Sequence, residues 1–493
     1  MIASRFSHES GGCQSATGCM QCADRTLFAD GSTQQWETDL LNWSRRNVLA
    51  AGAASALAAN AVAASTVQAA AGKAATGKGP FPASFLWGAA TAGHQVEGQN
   101  VNSDIWLLEH VKPSLFQESS GDGCASLQRW EEDLDIVRSL GLNTYRFSLE
   151  WARIEPAEGE FSAVMLDHYK RVIAGCRDRG LVPLVTFNHF TAPRWFAAQG
   201  GWEVATAPAK FTRFCDKAAR YLAADIGYAT TLNEPNLLRM LDWLPLPFPP
   251  SMKEMQAAML KEAARQCGSD RFSAANCGNA DAMLAPMIAG HKAAVAAIKS
   301  ANPSLPVGVS LAISDDQPIG KNSRRDAKRR EVYGEWLQAA RETCDFIGVQ
   351  TYSRSLIDSS KALPPPKGAT VSQMGEEYYP AAIEGTIRYA HAATGLPVMV
   401  TENGVATTDD AMRAAFIPEA IAAVGRAMAG GVPVLGYVHW SLLDNFEWLF
   451  GYTPKFGLVA VDRTTMKRTI KPSARIYGAI AAAGGLTQAQ LKG

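Results

Sequence analysis

The chain has 493 residues, of which 47% are apolar, and its 47 Lys and Arg balance its 47 Asp and Glu. That is enough apolar mass for a sizeable core, and nothing in the even balance points to nucleic acid or an anionic membrane as a partner. A small neutral partner fits better.

Residues 1–70 do not read as part of a fold. Ser44-Arg45-Arg46-Asn47-Val48-Leu49 is a twin-arginine sequence, followed by a weakly apolar Ala-rich run from Val48 to Ala64 and by small residues, Val67-Gln68-Ala69-Ala70, suited to cleavage. The run is short and interrupted by Gly52, Ser55 and Asn60, so it is not expected to span a membrane. The reading is a cleavable export leader and a periplasmic or secreted protein; a disordered Ala-rich tail is the alternative. The segment before Ser44 is long for a signal, which points to a start codon further along. Cys13, Cys19 and Cys22 fall in this leader. The other six cysteines carry no C-x-x-C and no zinc spacing, so neither metal nor cofactor is expected. In an exported protein, Cys267 and Cys277 are placed to brace a loop as a disulfide.

From Phe81 onward, short apolar runs alternate with helical patterns. The runs predicted as strands are Phe85 to Ala92, Asn143 to Trp151, Val182 to Phe190, Tyr228 to Asn233, Val307 to Ile313, Phe346 to Tyr352, Val398 to Thr401 and Val434 to Trp440. Leu127, Trp130, Leu134, Val137 and Leu140 recur at helical spacing over charged residues. Similar patterns lie near 163–179, 208–223, 283–299, 331–342, 376–393 and 411–429. Eight strands with seven helical patterns between them predict an α/β chain folded over 71–493 as a single (β/α)8 TIM barrel. A doubly wound sheet is the competitor, but no Gly-rich phosphate turn follows the first strand.

In such a barrel, chemistry gathers at the C-terminal strand ends. There the sequence places Gln95, Arg146, Asn188-His189, Asn233-Glu234, Tyr352, Glu402, and Trp440 with Asp444, Glu447 and Trp448. Two apolar strands end on a carboxylate, Glu234 after Tyr228–Asn233 and Glu402 after Val398–Thr401. A buried ionised Glu is costly unless it is paired or used, so these two form a candidate acid and nucleophile pair. Carboxylates, amides and a His supply hydrogen bonds for sugar hydroxyls, and Trp440 and Trp448 offer flat faces to sugar C–H groups.

The motifs FPASFLWGAATAGHQVEG (81–98), YRFSLEW (145–151), TTLNEP (230–235), DFIGVQTYSR (345–354), TENG (401–404) and GYVHWSLLDNFEWLFGYTPKFGLVAVD (436–462) occur in one order. In these the chain resembles the family 1 glycoside hydrolases, retaining β-glucosidases and β-galactosidases, over everything after the leader. The resemblance implies that Glu402 is the nucleophile and Glu234 the acid and then base, and that Arg146 and Tyr352 keep Glu402 ionised. It further implies that Asn233 bonds the sugar 2-hydroxyl, that Gln95, His189, Glu447 and Trp448 hold the remaining hydroxyls, and that Trp440 is the stacking floor. The implied partner is a small-molecule or oligosaccharide β-glycoside.

Both glutamates are present, unlike the thioglucosidase branch, which has Gln as acid/base. Glu447 would repel the phosphate of the 6-phosphoglycosidase branch. The chain departs from the commoner pattern at Gln350-Thr351-Tyr352, at Phe190-Thr191-Ala192-Pro193 and at Tyr228, and His439 resembles archaeal-type members. These departures leave open the choice among glucose, galactose and fucose. A transglycosylase with the same intermediate and a non-catalytic sugar-binding protein are the other readings. Leu241 to Asp281 reads as an insertion that either covers the entrance and binds an apolar aglycone or packs on the barrel. Arg324 to Arg330 reads as a solvated loop and helix start.

Overall fold

The computed structural model describes residues 81–245 and 249–486. Eight parallel strands close into a barrel: β1 Leu86–Ala90, β2 Thr144–Ser148, β3 Val182–Asn188, β4 Tyr228–Asn233, β5 Val307–Ala312, β6 Phe346–Gln350, β7 Val398–Asn403 and β8 Val434–Trp440. Each strand is followed by an outer helix: α1 Ser126–Ser139, α2 Ala163–Asp178, α3 Ala207–Leu222, α4 Ala280–Ala301, α5 Glu335–Thr343, α6 Ala382–Thr394, α7 Asp410–Ala429 and α8 Pro472–Ala482. The expected barrel is therefore present. Apart from Val182, Tyr228 and Leu435 the strands are buried throughout, because helices cover the outside and side chains fill the inside, which is why they read as apolar runs rather than alternating ones.

The helices owe their positions to apolar stripes and caps. In α1, Leu134 and Val137 are buried in the core. In α2, Ser162 accepts from the Met165 amide at 3.3 Å, and in α4 Asn279 accepts from Asp281 and Ala282. Such caps satisfy amides that the helix itself leaves unpaired.

Register does the positioning. Ala90 of β1 lies opposite both Arg146 of β2 and Trp440 of β8, and Gln350 of β6 lies opposite Glu402 of β7. Gly404 is required by close approach, since a Cβ there would stand 2.2 Å from the Trp440 carbonyl oxygen. The TENG turn is thus a packing contact between β7 and β8 as much as a bend.

Several expectations are corrected. The first two strands are shorter than expected because residues beyond Ala90 and Ser148 leave the ladder to build the rim. The helix expected from 376 begins at Ala382, and Glu376 and Glu377 are cavity wall, with Pro380 holding the preceding backbone extended. Cys267 and Cys277 are free thiols in a side core, not a disulfide. The Arg324–Arg330 run is not wholly solvated: one helical turn directs Lys328 inward, where Nζ donates to Ser314 at 2.7 Å and to Asp316 at 2.6 Å. The 241–281 insertion divides its residues between the cavity and the core. Its start lines a cavity, and helix Pro250–Gln266 packs Met252 and Met259 into the side core against Ile105 and Leu108. The twin-arginine stretch and the cysteines of the leader lie outside the described residues, as do Leu246 to Phe248. Among the described residues no helix is long and apolar enough to cross a membrane.

Candidate active site

A cavity of about 580 Å³ opens over the C-terminal ends of the strands. Eight of the ten residues expected at the site line it: His189, Asn233, Glu234, Tyr352, Glu402, Trp440, Glu447 and Trp448. The other two stand behind the wall. Arg146 is fully buried and holds the wall residues from below. Gln95 donates to Asn445 Oδ1 at 2.9 Å and to the Phe446 carbonyl at 2.7 Å, so it braces the loop that carries Glu447, while its own Oε1 has no partner.

Glu402 ends β7 surrounded by donors. Arg146 Nη1 donates to Oε1 at 2.5 Å, Gln350 Nε2 to the same oxygen at 2.9 Å, and Tyr352 OH to Oε2 at 2.6 Å. Glu234 has none: among the described residues its carboxyl accepts no hydrogen bond from the protein, and it sits just past β4 with a left-handed backbone, φ +43°. Its amide donates to Ser310 at 2.8 Å, which holds that conformation against a cost of about 1–3 kcal/mol. Phe190 and Trp448, also on the cavity wall, have φ of +67° and +54°. Left-handed backbone at three wall positions fits a shaped site better than a relaxed loop.

The electrostatics separate the two glutamates. Burial raises both above the ordinary Glu range. At Glu402 the Arg146 charge and the Tyr352 hydroxyl oppose it, whereas at Glu234 the negative Glu402 adds to it and leaves that carboxyl well above its ordinary value. A single proton shared by the pair therefore resides on Glu234. Tyr352 is itself held well above its usual value, first by burial and then by Glu402, and so keeps the proton it donates.

Asn233 is oriented by two donors. Its Oδ1 accepts from Arg146 Nη2 at 2.6 Å and from Gln350 Nε2 at 2.7 Å, which fixes Nδ2 on the side of His189, 3.3 Å from its Nε2. Burial and the Arg146 charge push His189 well below its usual pKa, so the ring is neutral, and its Nδ1 has no protein partner. Glu447 accepts from Trp440 Nε1 at 3.3 Å; its pKa is raised by burial and again by Glu402. A buried carboxyl with donors only on the Trp440 and Asn445 side, beside a neutral imidazole with a free nitrogen, is chemistry that several hydroxyls at once would satisfy.

Two contributors were not anticipated as site residues. Gln350, which the sequence showed only as a departure from the commoner motif, is the third donor to Glu402. His94 stacks on Trp448 with ring centroids 5.7 Å apart and planes 4° apart, and Trp448 stacks in turn on His189 and His189 on Trp440. A single buried His such as His94 has no distinguishing pattern in the sequence. Asp444, expected on the rim, is spent on Lys471 and on the Gly457 amide and does not line the cavity.

The model of the glycosyl hydrolase family 1 matches residues 77–357 and 331–486. β-Glucosidase A of Thermotoga maritima is 29% identical over 448 residues, covering 82% of this chain and 98% of that protein. Among solved structures, the apo β-glucosidase 1317 superposes with a TM-score of 0.79 at 42% identity, over 82% of this chain and 99% of the other. β-Glycosidase BGL167 gives 0.78 at 46%, over 83% and 99%. A match of this extent, over a barrel whose rim carries two unequal carboxyls, shows that the chain belongs to glycosyl hydrolase family 1.

Proposed function

We propose that this protein is a retaining β-glucosidase, cleaving terminal β-linked glucosyl residues of O-glycosides through a covalent intermediate on Glu402. The observation that carries the reading is the asymmetry of the pair: Glu402 has three donors, one of them the Arg146 guanidinium, and the Glu234 carboxyl has none. In the first step a Glu402 oxygen attacks the anomeric carbon as the glycosidic bond breaks, and Glu234 gives its proton to the departing oxygen. The glycosyl ester cancels the charge on Glu402. That charge is the second largest cause of the high Glu234 pKa, so its loss lets Glu234 ionise. In the second step Glu234 takes a proton from water, the oxygen attacks the same carbon, and Glu402 leaves as a carboxylate. Two inversions return the β configuration. Such a mechanism calls for carboxyl groups about 5–5.5 Å apart.

Asn233, held by Arg146 and Gln350, is assigned to the 2-hydroxyl, where a bond that tightens in the transition state is most useful. His189, Glu447 and Trp448 are assigned to the remaining hydroxyls and Trp440 to the ring face. Gln95 is assigned to a hydroxyl through Oε1, which has no protein partner, while its Nε2 supports the Glu447 loop. The test is hydrolysis of aryl β-glucoside, β-galactoside and β-fucoside, with Glu402→Ala run beside the native chain. Release of the phenol that disappears in the variant supports the reading; equal release by both contradicts it.

We also infer that residues 1–70 are a twin-arginine export leader and that the catalytic domain begins near residue 71, on the strength of Ser44-Arg45-Arg46 and the Ala-rich run after it. Cell fractionation tests this, with Arg45→Lys/Arg46→Lys as the comparison. Processed native protein outside the cytoplasm, with the variant retained, is the expected result. Uncleaved native protein in the cytoplasm would overturn it.

A further inference from the structure

Among the described residues the cavity is lined by five carboxyl groups and two cationic side chains, and all but one of these have a partner or a role. Glu402 is held by Arg146, Glu234 is the acid, and Glu447 is assigned to the sugar. Glu377 is paired with Arg354 at 2.7 Å, and Lys328 is held by Asp316 at 2.6 Å and by Ser314. That leaves Glu376. Its carboxyl accepts no hydrogen bond and meets no cation among the described residues. A partly buried carboxylate without a partner is costly, and burial lifts this one to about 7.

The backbone that carries Glu376 is built to hold it in place. Ser372 Oγ accepts from the Met374 amide at 3.2 Å and from the Glu376 amide at 3.3 Å, and the Ser372 amide donates to the Glu376 carbonyl at 2.8 Å. Gly375 takes the left-handed conformation, φ +78°, that so tight a turn needs. Gln373 pins the turn to its surroundings: its amide donates to the Ala406 carbonyl at 2.8 Å, and its Oε1 accepts from the Lys455 amide at 2.9 Å. Met374 packs against the cluster of Trp440 and Phe456 that Tyr352 also joins, so the turn abuts the wall beside Glu402. Glu376 is also within electrical reach of the acid, since its charge adds to burial and Glu402 in raising Glu234. A fixed carboxylate facing open space, with Lys328 and Arg354 already neutralised, attracts positive charge.

We propose that Glu376 is a specificity-determining residue that receives a cationic amine on the leaving group, so that β-glucosides whose aglycone carries an ammonium group are favoured over neutral and anionic ones of the same size. This rests on the β-glucosidase reading above. The chemistry at the sugar is unchanged: the glycosidic oxygen leaves with the Glu234 proton, the ammonium group keeps its own, and water completes the sugar. Glu376 neither gives nor takes a proton in the reaction. It supplies the counter-charge that the protein withholds.

The test uses the native chain at neutral pH with three aryl β-glucosides of similar size and similar phenol acidity, bearing 4-aminomethyl, 4-hydroxymethyl and 4-carboxymethyl groups, together with 4-nitrophenyl β-glucoside. We expect kcat/KM for the aminomethyl compound to exceed that for the hydroxymethyl compound about tenfold, the worth of one charge-assisted hydrogen bond, mainly through KM. The carboxymethyl compound should fall below both. In Glu376→Gln the ratio of aminomethyl to hydroxymethyl should drop to about one, and in Glu376→Lys the carboxymethyl compound should become the best of the three. Hydrolysis of the nitrophenyl glucoside by the native chain with no preference for the amine overturns the assignment and leaves the glucosidase reading standing. A preference that survives in Glu376→Gln places the cation at another carboxyl and overturns it equally. No turnover of the nitrophenyl glucoside by folded native protein overturns both readings.

Discussion

Two groups of buried carboxylates lie near one end of the barrel, and only one of them faces the cavity. In the group behind the wall, Glu97 accepts from Arg153 at 2.8 Å and from Tyr169, and Glu109 pairs with His94 at 2.8 Å and with Ser120. Glu150 accepts from the His94 amide, from Asn100 at 2.6 Å and from Thr191. Each of those oxygens has a fixed donor. On the cavity side, Glu402 is comparably supplied, but Glu234 has no donor and Glu447 is held only by Trp440 and Asn445. Shifted pKa values do not distinguish the groups, since burial pushes Glu97 up to about 7 and also raises Glu150. Unfilled hydrogen-bonding capacity facing open space does. A carboxylate satisfied by the protein holds the fold together; one left for a ligand to satisfy can do chemistry.

The sharpest way to break this comparison is Glu402→Ala, which should reduce kcat by about 10⁵-fold or more with the fold intact by circular dichroism, as for other covalent nucleophiles. Glu234→Gln should cost about 10²–10⁴-fold on alkyl glycosides, whose alcohols leave badly without a proton. The pH profile carries the same assignment. Glu234 must be protonated to act and its pKa is raised, so kcat/KM should hold above the usual carboxylate range and fall on the alkaline side as that proton leaves. The acid limb should follow protonation of Glu402. In Glu234→Gln the alkaline limb should vanish and the acid limb remain.

Smaller effects sharpen it further. Glu447→Gln should lower kcat/KM about tenfold to a hundredfold, the worth of one charge-assisted hydrogen bond in a dry site. Glu109→Gln addresses the other group. Burial lowers the His94 pKa, but the hydrogen bond and charge of Glu109 outweigh it and hold the imidazole above its usual value. Removing that partner should cost about 3 kcal/mol of stability, seen as a lower Tm, with both limbs of the pH profile unmoved. A hundredfold loss of kcat in Glu109→Gln would show that the two groups are not separate in role.

Much of this was legible in the sequence because strand periodicity and strand-end chemistry are local properties. Eight apolar runs identified the barrel, and the residues ending β4 and β7 named the two glutamates. What depended on three-dimensional approach was not legible. Gln350 reaches Glu402 across the register of two strands. Lys328 sits in a basic run whose other members stay near the surface, and only the turn of the helix shows it pointing inward. Cys267 and Cys277 have spacing compatible with a bridge, yet both pack as small apolar residues. Arg146 was expected beside Glu402 and is found there, whereas Gln95, expected at a sugar hydroxyl, spends its amide hydrogens on Asn445 and Phe446, since a motif marks a position and not the direction its side chain takes.

The proposed chemistry turns on Glu402 forming a bond to the sugar while Glu234 supplies and then recovers the proton. Its most direct test is the anomeric configuration of the first sugar released from a β-glucoside, followed by proton NMR before mutarotation. Release of the β anomer first, relaxing later to the equilibrium mixture, is the predicted result. Release of the α anomer first would mean a single displacement by water and would contradict the nucleophilic role of Glu402.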